Sequence, residues 1–446
     1  MSEALDRLEG LFARAKARGA DAADGICARG RSLSIAMRKG VPERLERAEA
    51  AEIGLRVFCG RRQALVSTSD LSPAALDALA ERAVAMARTL PEDPFAGLAD
   101  PGELMTGDLP DCDLADPADL DEDRLREMAL AAEDAALAVP GVTNSEGAEA
   151  AFARSGIAIA ATNGFAREYE TTHASLAAAA VAGSPADGME RDYDSALAVY
   201  AADLPDAAAL GRTAGSRAVA RLHPRKPASA TLPVVFEPRA ARSLLGHFAG
   251  AANGAAVARG TSFLAKAMGT RVFAEGVSIV DDPHRRRGLR SRPCDAEGLA
   301  AVRRAAVDGG VLSAWFLDLR SARQLRLAAN GCASRGIGSA PSPSPSNLCL
   351  MPGRLAPKDL MADIERGLYV TELIGMGVNA VTGDYSRGAA GFLIENGEIA
   401  GPVSECTIAG NLMEMFARLT PADDLEYRFG IDSPTVRIDA MAVAGT

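Results

Sequence analysis

Residues 367–412 read GLYVTELIGMGVNAVTGDYSRGAAGFLIENGEIAGPVSECTIAGNL. Within this stretch Phe392-Leu393-Ile394 and Glu398-Ile399 flank Glu395-Asn396-Gly397. Asn-Gly between two apolar runs is the strongest short hairpin signal, because both residues of a type I′ turn need φ > 0. Upstream, Pro357–Arg366 reads as a short helix, with Asp359 near its start and Gly367 just past its end. Downstream, Leu412, Met415, Phe416 and Leu419 share a helix face, and Thr435–Val443 alternates like a closing strand. This region is predicted to be rich in strands, with helices packed on them.

The pattern extends in the N-terminal direction. Leu232–Phe236 is a strand of buried type that runs into a helix over 238–258, with Pro238 in its first turn. Leu244, Leu245, Phe248 and Ala252 fall on one face of that helix. His223-Pro224-Arg225-Lys226-Pro227 lacks any periodicity and divides the chain into domains 1–225 and 229–446. A Pro-, Gly- and Asp-rich linker or surface loop near 91–119 marks a sub-boundary in the first domain. Leu5, Leu8, Phe12 and Ala15 give the start an amphipathic helix. Ser32–Met37, Ala51–Phe58 and Gln63–Ser67 read as short strands. Helices follow at 72–90, capped by Ser72, at 121–138 and at 205–221. Between the last two, Ile157, Ile159 and Ala161 alternate up to a second Asn-Gly turn at Asn163-Gly164, and a further turn at Pro185–Gly188 completes an antiparallel meander. The expected fold is α+β in two domains: N-terminal helices with antiparallel strands, then a strand-rich C-terminal domain with packed helices.

Composition narrows the function. The chain has 446 residues, of which 48% are apolar and 24% charged, as in a globular protein with a sizeable core. A net charge of −11 opposes generic binding to nucleic acid or to an anionic membrane. The longest soft apolar stretch, Ala174–Gly183, is far shorter than the roughly 20 residues a bilayer span takes. Seven scattered cysteines without a Cys-x-x-Cys pair or a secretory signal read as reduced thiols of a cytoplasmic protein, each most simply a small core residue.

Familiar chemistry is sparse. There is no Gly-x-Ser-x-Gly and no phosphate loop; Gly336-Ile337-Gly338 is an isolated fragment. Asp281-Asp282 and Asp423-Asp424 read as solvated turns, or as weak cation sites. Arg285, Arg286, Arg287, Arg290 and Arg292 form a basic loop around His284, for which salt bridging or an interface suits the acidic chain better than nucleic acid does. Ser334–Asn347, containing SAPSPSPSN, reads as an exposed loop or as a lid that orders against a partner or peptide.

The 367–412 stretch closely resembles the C-terminal signature of the PmbA/TldD family, in its PmbA (TldE) branch. NGAAVARGTSFL at 253–264, DDPHRRRGLRSRPCDAEG at 281–298 and DGGVLSAWFLDLRSARQLRL at 308–327 agree in order. The resemblance implies one subunit of a two-chain cytosolic zinc metallopeptidase that acts on unfolded peptides and peptide precursors. The TldD-type subunit carries a His-Glu-x-x-x-His helix; its imidazoles hold zinc and its Glu is the base on metal-bound water.

This chain departs from that motif. Its corresponding helix reads His247-Phe248-Ala249-Gly250-Ala251-Ala252-Asn253. With His247 as first ligand, Phe248 stands where Glu is needed and Ala252 where the second His is needed. Where the family can place a cysteine, Ile431-Asp432-Ser433-Pro434 occurs. The expectation is therefore an accessory subunit with no catalytic residue and no metal of its own, zinc residing in a TldD-type partner. It would pair as a heterodimer, or with itself when alone, and help enclose a chamber for extended peptides bound by strand addition to a sheet edge. The 367–400 region is the candidate wall, and Tyr385, Ser386 and Arg387, placed in its polar turn, are the candidate contacts with substrate or partner. Two alternatives stay open: a self-sufficient peptidase using Asp or Glu with a cation, and a scaffold linked to toxin–antitoxin or gyrase systems.

Overall fold

The computed structural model describes residues 2–186 and 188–445. Asp187, inside the expected Pro185–Gly188 turn, lies outside the described residues.

The N-terminal half is one six-stranded antiparallel sheet with four helices on a single face. Its elements are α1 (Glu3–Ala17), β1 (Ala22–Arg38), β2 (Val41–Cys59), β3 (Arg62–Thr68), α2 (Pro73–Thr89), α3 (Glu122–Leu137), β4 (Val142–Ala161), β5 (Ala166–Ser184), β6 (Gly188–Ala198) and α4 (Ala207–Ala220). Strand order is β3-β2-β1-β4-β5-β6, so the β1–β4 pairing carries one sheet across residues 91–119. Leu8, Phe12, Leu76 and Leu79 of α1 and α2 pack on Cys27, Ile53 and Leu55. Farther along, Leu125 and Ala132 of α3 and Leu210 and Ala214 of α4 pack on Ile35, Ala150 and Leu176. Because side chains alternate along a strand, the opposite face carries Ser34, Ala151 and Ser175 in one row and Ser32, Ala153 and His173 in the next. No helix covers these small, mostly half-buried residues.

Helices α3 and α4 cross where Gly211 meets the Ala132 carbonyl; a Cβ there would lie 1.9 Å from that oxygen. Gly211→Ala is expected to force the helices apart and cost about 1–3 kcal/mol, measured by chemical denaturation, with Gly246→Ala, which meets open space, as the neutral comparison.

The first strands are far longer than the sequence suggested. Residues 41–50, VPERLERAEA, are exposed on both faces, so no buried face imposes an apolar alternation. The run is a strand because β1 pairs with it. At Asn163-Gly164 the hairpin forms, but only Gly164 takes a positive φ. Asn163 keeps a negative φ, its side chain accepting from the Phe165 N–H and donating to the Ala99 carbonyl of the 91–119 segment, so the turn is not type I′.

The C-terminal half opens with β7 (Ala230–Phe236), α5 (Pro238–Ala251) and α6 (Gly254–Ala258). The single expected helix over 238–258 is broken because Asn253 caps α6, its side chain accepting from Ala255 and Ala256 N–H. Then follow β8 (Ile279–Asp282), β9 (Arg304–Asp308), β10 (Val311–Leu312), α7 (Leu319–Leu325), β11 (Ala333–Ser334), β12 (Ser342–Pro343), β13 (Asn347–Leu350) and α8 (Pro357–Met361). The chain ends with β14 (Arg366–Ile374), β15 (Asp384–Glu395), β16 (Glu398–Asn411), α9 (Leu412–Ala417), β17 (Leu419–Pro421), β18 (Ile431–Asp432) and β19 (Val436–Ala444). Strands β16-β15-β14-β7-β19 are neighbours in that order, and a further β16–β19 pairing closes them into a barrel. Asn396 (φ 51°) and Gly397 (φ 81°) make the predicted type I′ turn. Gly367 does not stop a helix: α8 ends at Met361 and Gly367 lies inside β14. The core centres on Phe248, Phe273 and Phe416, the last two stacked at 4.4 Å and the first edge-on at 5.6 Å.

Two segments read as loops instead join the halves. From 91–119, the Phe95, Gly97 and Leu98 carbonyls accept from Arg323, and Asp93 pairs with Arg320. The SAPSPSPSN segment is neither free nor mainly exposed: Pro341, Pro343 and Pro345 turn inward while Ser342 faces out, an extended alternation imposed by packing. Just ahead of it Ile337 joins Ile26 and Ile159 across the interface. One member of each Asp pair is spent on internal hydrogen bonds, while Asp423 is exposed in a bend. Asp281 is 1% exposed and accepts from Ser346 N–H and Oγ, and Asp424 accepts from Thr435 N–H and Oγ1. The basic loop is consumed internally: Arg286 and Arg287 pair with Asp113, while Arg290 and Arg292 donate to the Ser346 and Ser344 carbonyls.

A buried charge cluster completes the joint. Asp24 accepts from Arg56 Nε at 3.0 Å and from Arg335 Nη1 at 2.7 Å. Glu297 Oε1 lies 3.9 Å from Arg56 Nη2, and its Oε2 accepts from the Leu319 N–H at 2.7 Å. Burial alone would raise the Asp24 carboxyl, but the Arg56 and Arg335 guanidiniums hold it below the usual carboxylate range. Burial pushes Glu297 the other way, up to about 8, against the pull of Arg56.

Candidate functional site

Helix α5 is where the metal motif would lie. Pro238 opens it, and its apolar side, including Leu244, Leu245 and Phe248, is buried in the C-terminal core. Phe248 and Ala252 are both fully buried, so neither position faces a solvent-accessible site. His247 is the one residue of the degenerate motif that leaves the core face. It is half-buried, and its ring meets Tyr385 edge-on at 5.9 Å. Burial, then the nearby Arg387 charge, lowers its pKa, which keeps the imidazole neutral near pH 7.

The structure brings together two groups of residues that the sequence reading treated separately. Tyr385 and Arg387 do not lie in a turn; they sit two apart at the start of β15, on the face toward His247. Tyr385 is only 2% exposed, whereas Ser386 points to the exposed side. His247 Nε2, Tyr385 OH and Arg387 Nε are all buried without a hydrogen-bond partner among the described residues. Buried polar atoms normally find partners, and these three are exceptions.

The fit for a catalytic metal is poor. Zinc needs three or four converging N, S or O donors. His247 supplies one, Phe248 and Ala252 supply none, and among the described residues no three His, Cys, Asp or Glu side chains converge. Ser433, near where the family can place a cysteine, donates its hydroxyl to the Pro434 carbonyl. The cysteines are free, and all but the half-buried Cys59 are buried.

The sequence reading missed the other side of α5. Arg242, Gly246 and Gly250 recur every four residues and so share a stripe. Both glycines are exposed, with nothing within 4 Å of where a Cβ would be. At the N-terminal end of that stripe a cavity of about 310 Å³ lies between the two halves. Tyr193 and Ser195 of β6 and Arg217 of α4 form one wall; Arg242, Phe429 and Ser433 contribute to the other. The Arg-x-x-x-Gly-x-x-x-Gly spacing was the available signal.

The structure also moves the edges. Strands β14 and β15 each have neighbours on both sides, but β7 flanks β14 only at Leu368–Val370, which leaves the 371–374 end without a ladder on that side. Along the outer edge of β6, the Tyr193 carbonyl accepts from Arg217 and Arg239, and the Ser195 carbonyl from Arg428. Residues 41–52 of β2 pair with β1 alone, which leaves their other edge open.

Known proteins place this arrangement. The chain matches three family descriptions in order: PmbA/TldA metallopeptidase domain 1 over residues 23–87, central domain over 115–222 and C-terminal domain over 229–445. It is 37% identical over 429 residues to the metalloprotease PmbA of Escherichia coli, covering 95% of this chain and 92% of that one. Its fold is similar to that of a Bacteroides thetaiotaomicron protein described as a modulator of DNA gyrase (TM-score 0.92, 26% identity, all of both chains). It is also similar in fold to TldE from Thermococcus kodakarensis (TM-score 0.87, 19% identity, 98% of this chain and all of that one). No described helix is long and apolar enough to cross a membrane. The chain belongs to the PmbA/TldD metallopeptidase family, in its PmbA branch.

Proposed function

We propose that this chain is the zinc-free subunit of a two-chain cytosolic metallopeptidase, whose TldD-type partner carries the metal and breaks the peptide bond. The carrying observation is the donor-poor face of α5, where His247 stands between Gly246 and the buried Phe248. A chain with this helix contributes by enclosing and holding substrate. The part of the N-terminal sheet face around Ser34, Ala151 and Ser175, which no described helix covers, suits that role: its Ser and Ala side chains offer little to discriminate one unfolded sequence from another. His247, Tyr385 and Arg387 hold buried polar atoms without a hydrogen-bond partner among the described residues, beside the bare stripe of α5. The open edge of β2 at 41–52 is available to a strand from partner or peptide.

The test is metal content read with activity. The purified chain is expected to contain far less than one zinc per copy and to show no chelator-sensitive cleavage of an unfolded protein. Adding a TldD-type partner should give cleavage well above that of the partner alone. Stoichiometric zinc together with cleavage by the isolated chain would overturn the proposal, and no gain over the partner alone would favour a scaffold instead.

A further inference from the structure

Arg242 is the anomaly of the inter-domain cavity. It is half-buried, with its guanidinium carbon 4.1 Å from the centre of the Phe429 ring. Among the described residues it makes no hydrogen bond or ion pair, although carboxylates surround it. All but the exposed Glu426 are committed elsewhere. Asp194 pairs with Arg217 and Arg428, and Glu237 with Arg217 and Arg239. Asp432 accepts from the N–H groups of Arg428, Phe429 and Gly430, and Asp424 from Thr435. Burial lowers the Arg242 pKa, with Asp432 only partly offsetting it. A half-buried guanidinium without a hydrogen-bond or ion-pair partner among the described residues, over an aromatic ring and beside a cavity of about 310 Å³, is arranged to meet an anion from outside the chain.

We propose that Arg242 anchors the C-terminal carboxylate of a short peptide, whose chain then runs along the Gly246–Gly250 stripe past His247 and Tyr385. A carboxylate matches the guanidinium fork, which can donate two parallel hydrogen bonds to it. A phosphate matches less well, because the acidic groups that ring the cavity oppose a second negative charge. The dimensions agree. Arg242 and Gly250 are eight residues apart, about 12 Å along a helix, which an extended peptide spans in about four residues. A side chain at Gly246 or Gly250 would stand in that path; their absence leaves it open. Midway along, His247 directly follows Gly246, so a peptide over the stripe passes beside the His247–Tyr385 ring pair. The inference rests on the peptide-binding reading above and adds an end-specific anchor to it.

The test uses the full chain and calorimetric titration with an N-acetylated tetrapeptide, the same peptide amidated at its C-terminus, and inorganic phosphate. The free acid is expected to bind at least about tenfold more tightly than the amide, and phosphate should not displace it. Arg242→Met should abolish the preference while melting close to the parent protein, since the guanidinium it removes has no hydrogen bond or ion pair and the methionine keeps an apolar contact with Phe429. Arg242→Lys should retain part of the preference. Equal binding of acid and amide, displacement by phosphate, or a preference that survives Arg242→Met would overturn the anchor while leaving peptide binding intact. If neither peptide binds at millimolar concentration, the peptide-binding reading fails together with the anchor.

Discussion

Asp24→Asn is expected to lower stability by about 3–5 kcal/mol, the cost of removing one partner from a buried ion pair. Asp24 is 3% exposed and Arg56 6%, and the Arg335 side chain has no exposed surface. Asparagine would leave Arg335 facing a neutral acceptor and Arg56 with only the more distant Glu297 as a carboxylate neighbour. Part of the loss should appear in the docking of the halves, because Asp24 and Arg56 come from the N-terminal sheet and Arg335 from the segment after β11. Chemical denaturation followed by far-UV signal and by protease susceptibility near 335–340 checks both consequences. A loss below about 1 kcal/mol, the worth of an exposed pair, would mean that water reaches the cluster.

The second large effect concerns pH. Glu297 is pushed up to about 8 in the folded protein, first by burial and then by the neighbouring Asp295, against the opposing pull of Arg56. In the unfolded chain it titrates at its ordinary value of about 4.5. The folded state therefore holds an extra proton between those values. Its stabilising contribution is complete below about pH 4.5 and is lost as pH rises through about 8. The slope approaches about 1.4 kcal/mol per pH unit within that window. Glu297→Gln keeps the acceptor for the Leu319 N–H and removes the titration. The variant should equal the parent at the acidic end, exceed it by several kcal/mol near pH 8, and flatten the profile between. Denaturation midpoints across this range decide it; a parent profile already flat between pH 5 and 8 would sink the expectation. The Asp24 carboxyl, held low, works oppositely: its contribution is present above its ordinary value and is lost on acidification through its depressed folded value.

Both predictions lie at the joint between the halves, which sequence reading did not reach. Asp24 and Arg335 are more than three hundred residues apart, and no local pattern links an Asp in a strand to an Arg beside a Ser-Pro run. The inward prolines of SAPSPSPSN show the same difficulty. Their period-two alternation is visible, yet proline outside a regular strand signals a loop until something packs on it.

What the chain determined by itself was local and chemical. Apolar spacing placed the helices α1 to α4 and the strand–helix junction at Pro238. Asn396-Gly397 set its turn, and the 367–412 run marked the family. Phe248 and Ala252 in the register of the motif already removed the metal donors. The three-dimensional arrangement decided the rest. It lengthened β2 through a charged segment because β1 supplied its hydrogen bonds. It brought His247 within ring contact of Tyr385, and it left Arg242 without an ion pair while Asp194, Glu237, Asp424 and Asp432 found other partners. Helix and turn preferences depend on neighbours a few residues away, so they can be read along the chain. Burial, pairing and cavities depend on which distant side chains exclude water together, and only the packed fold fixes that.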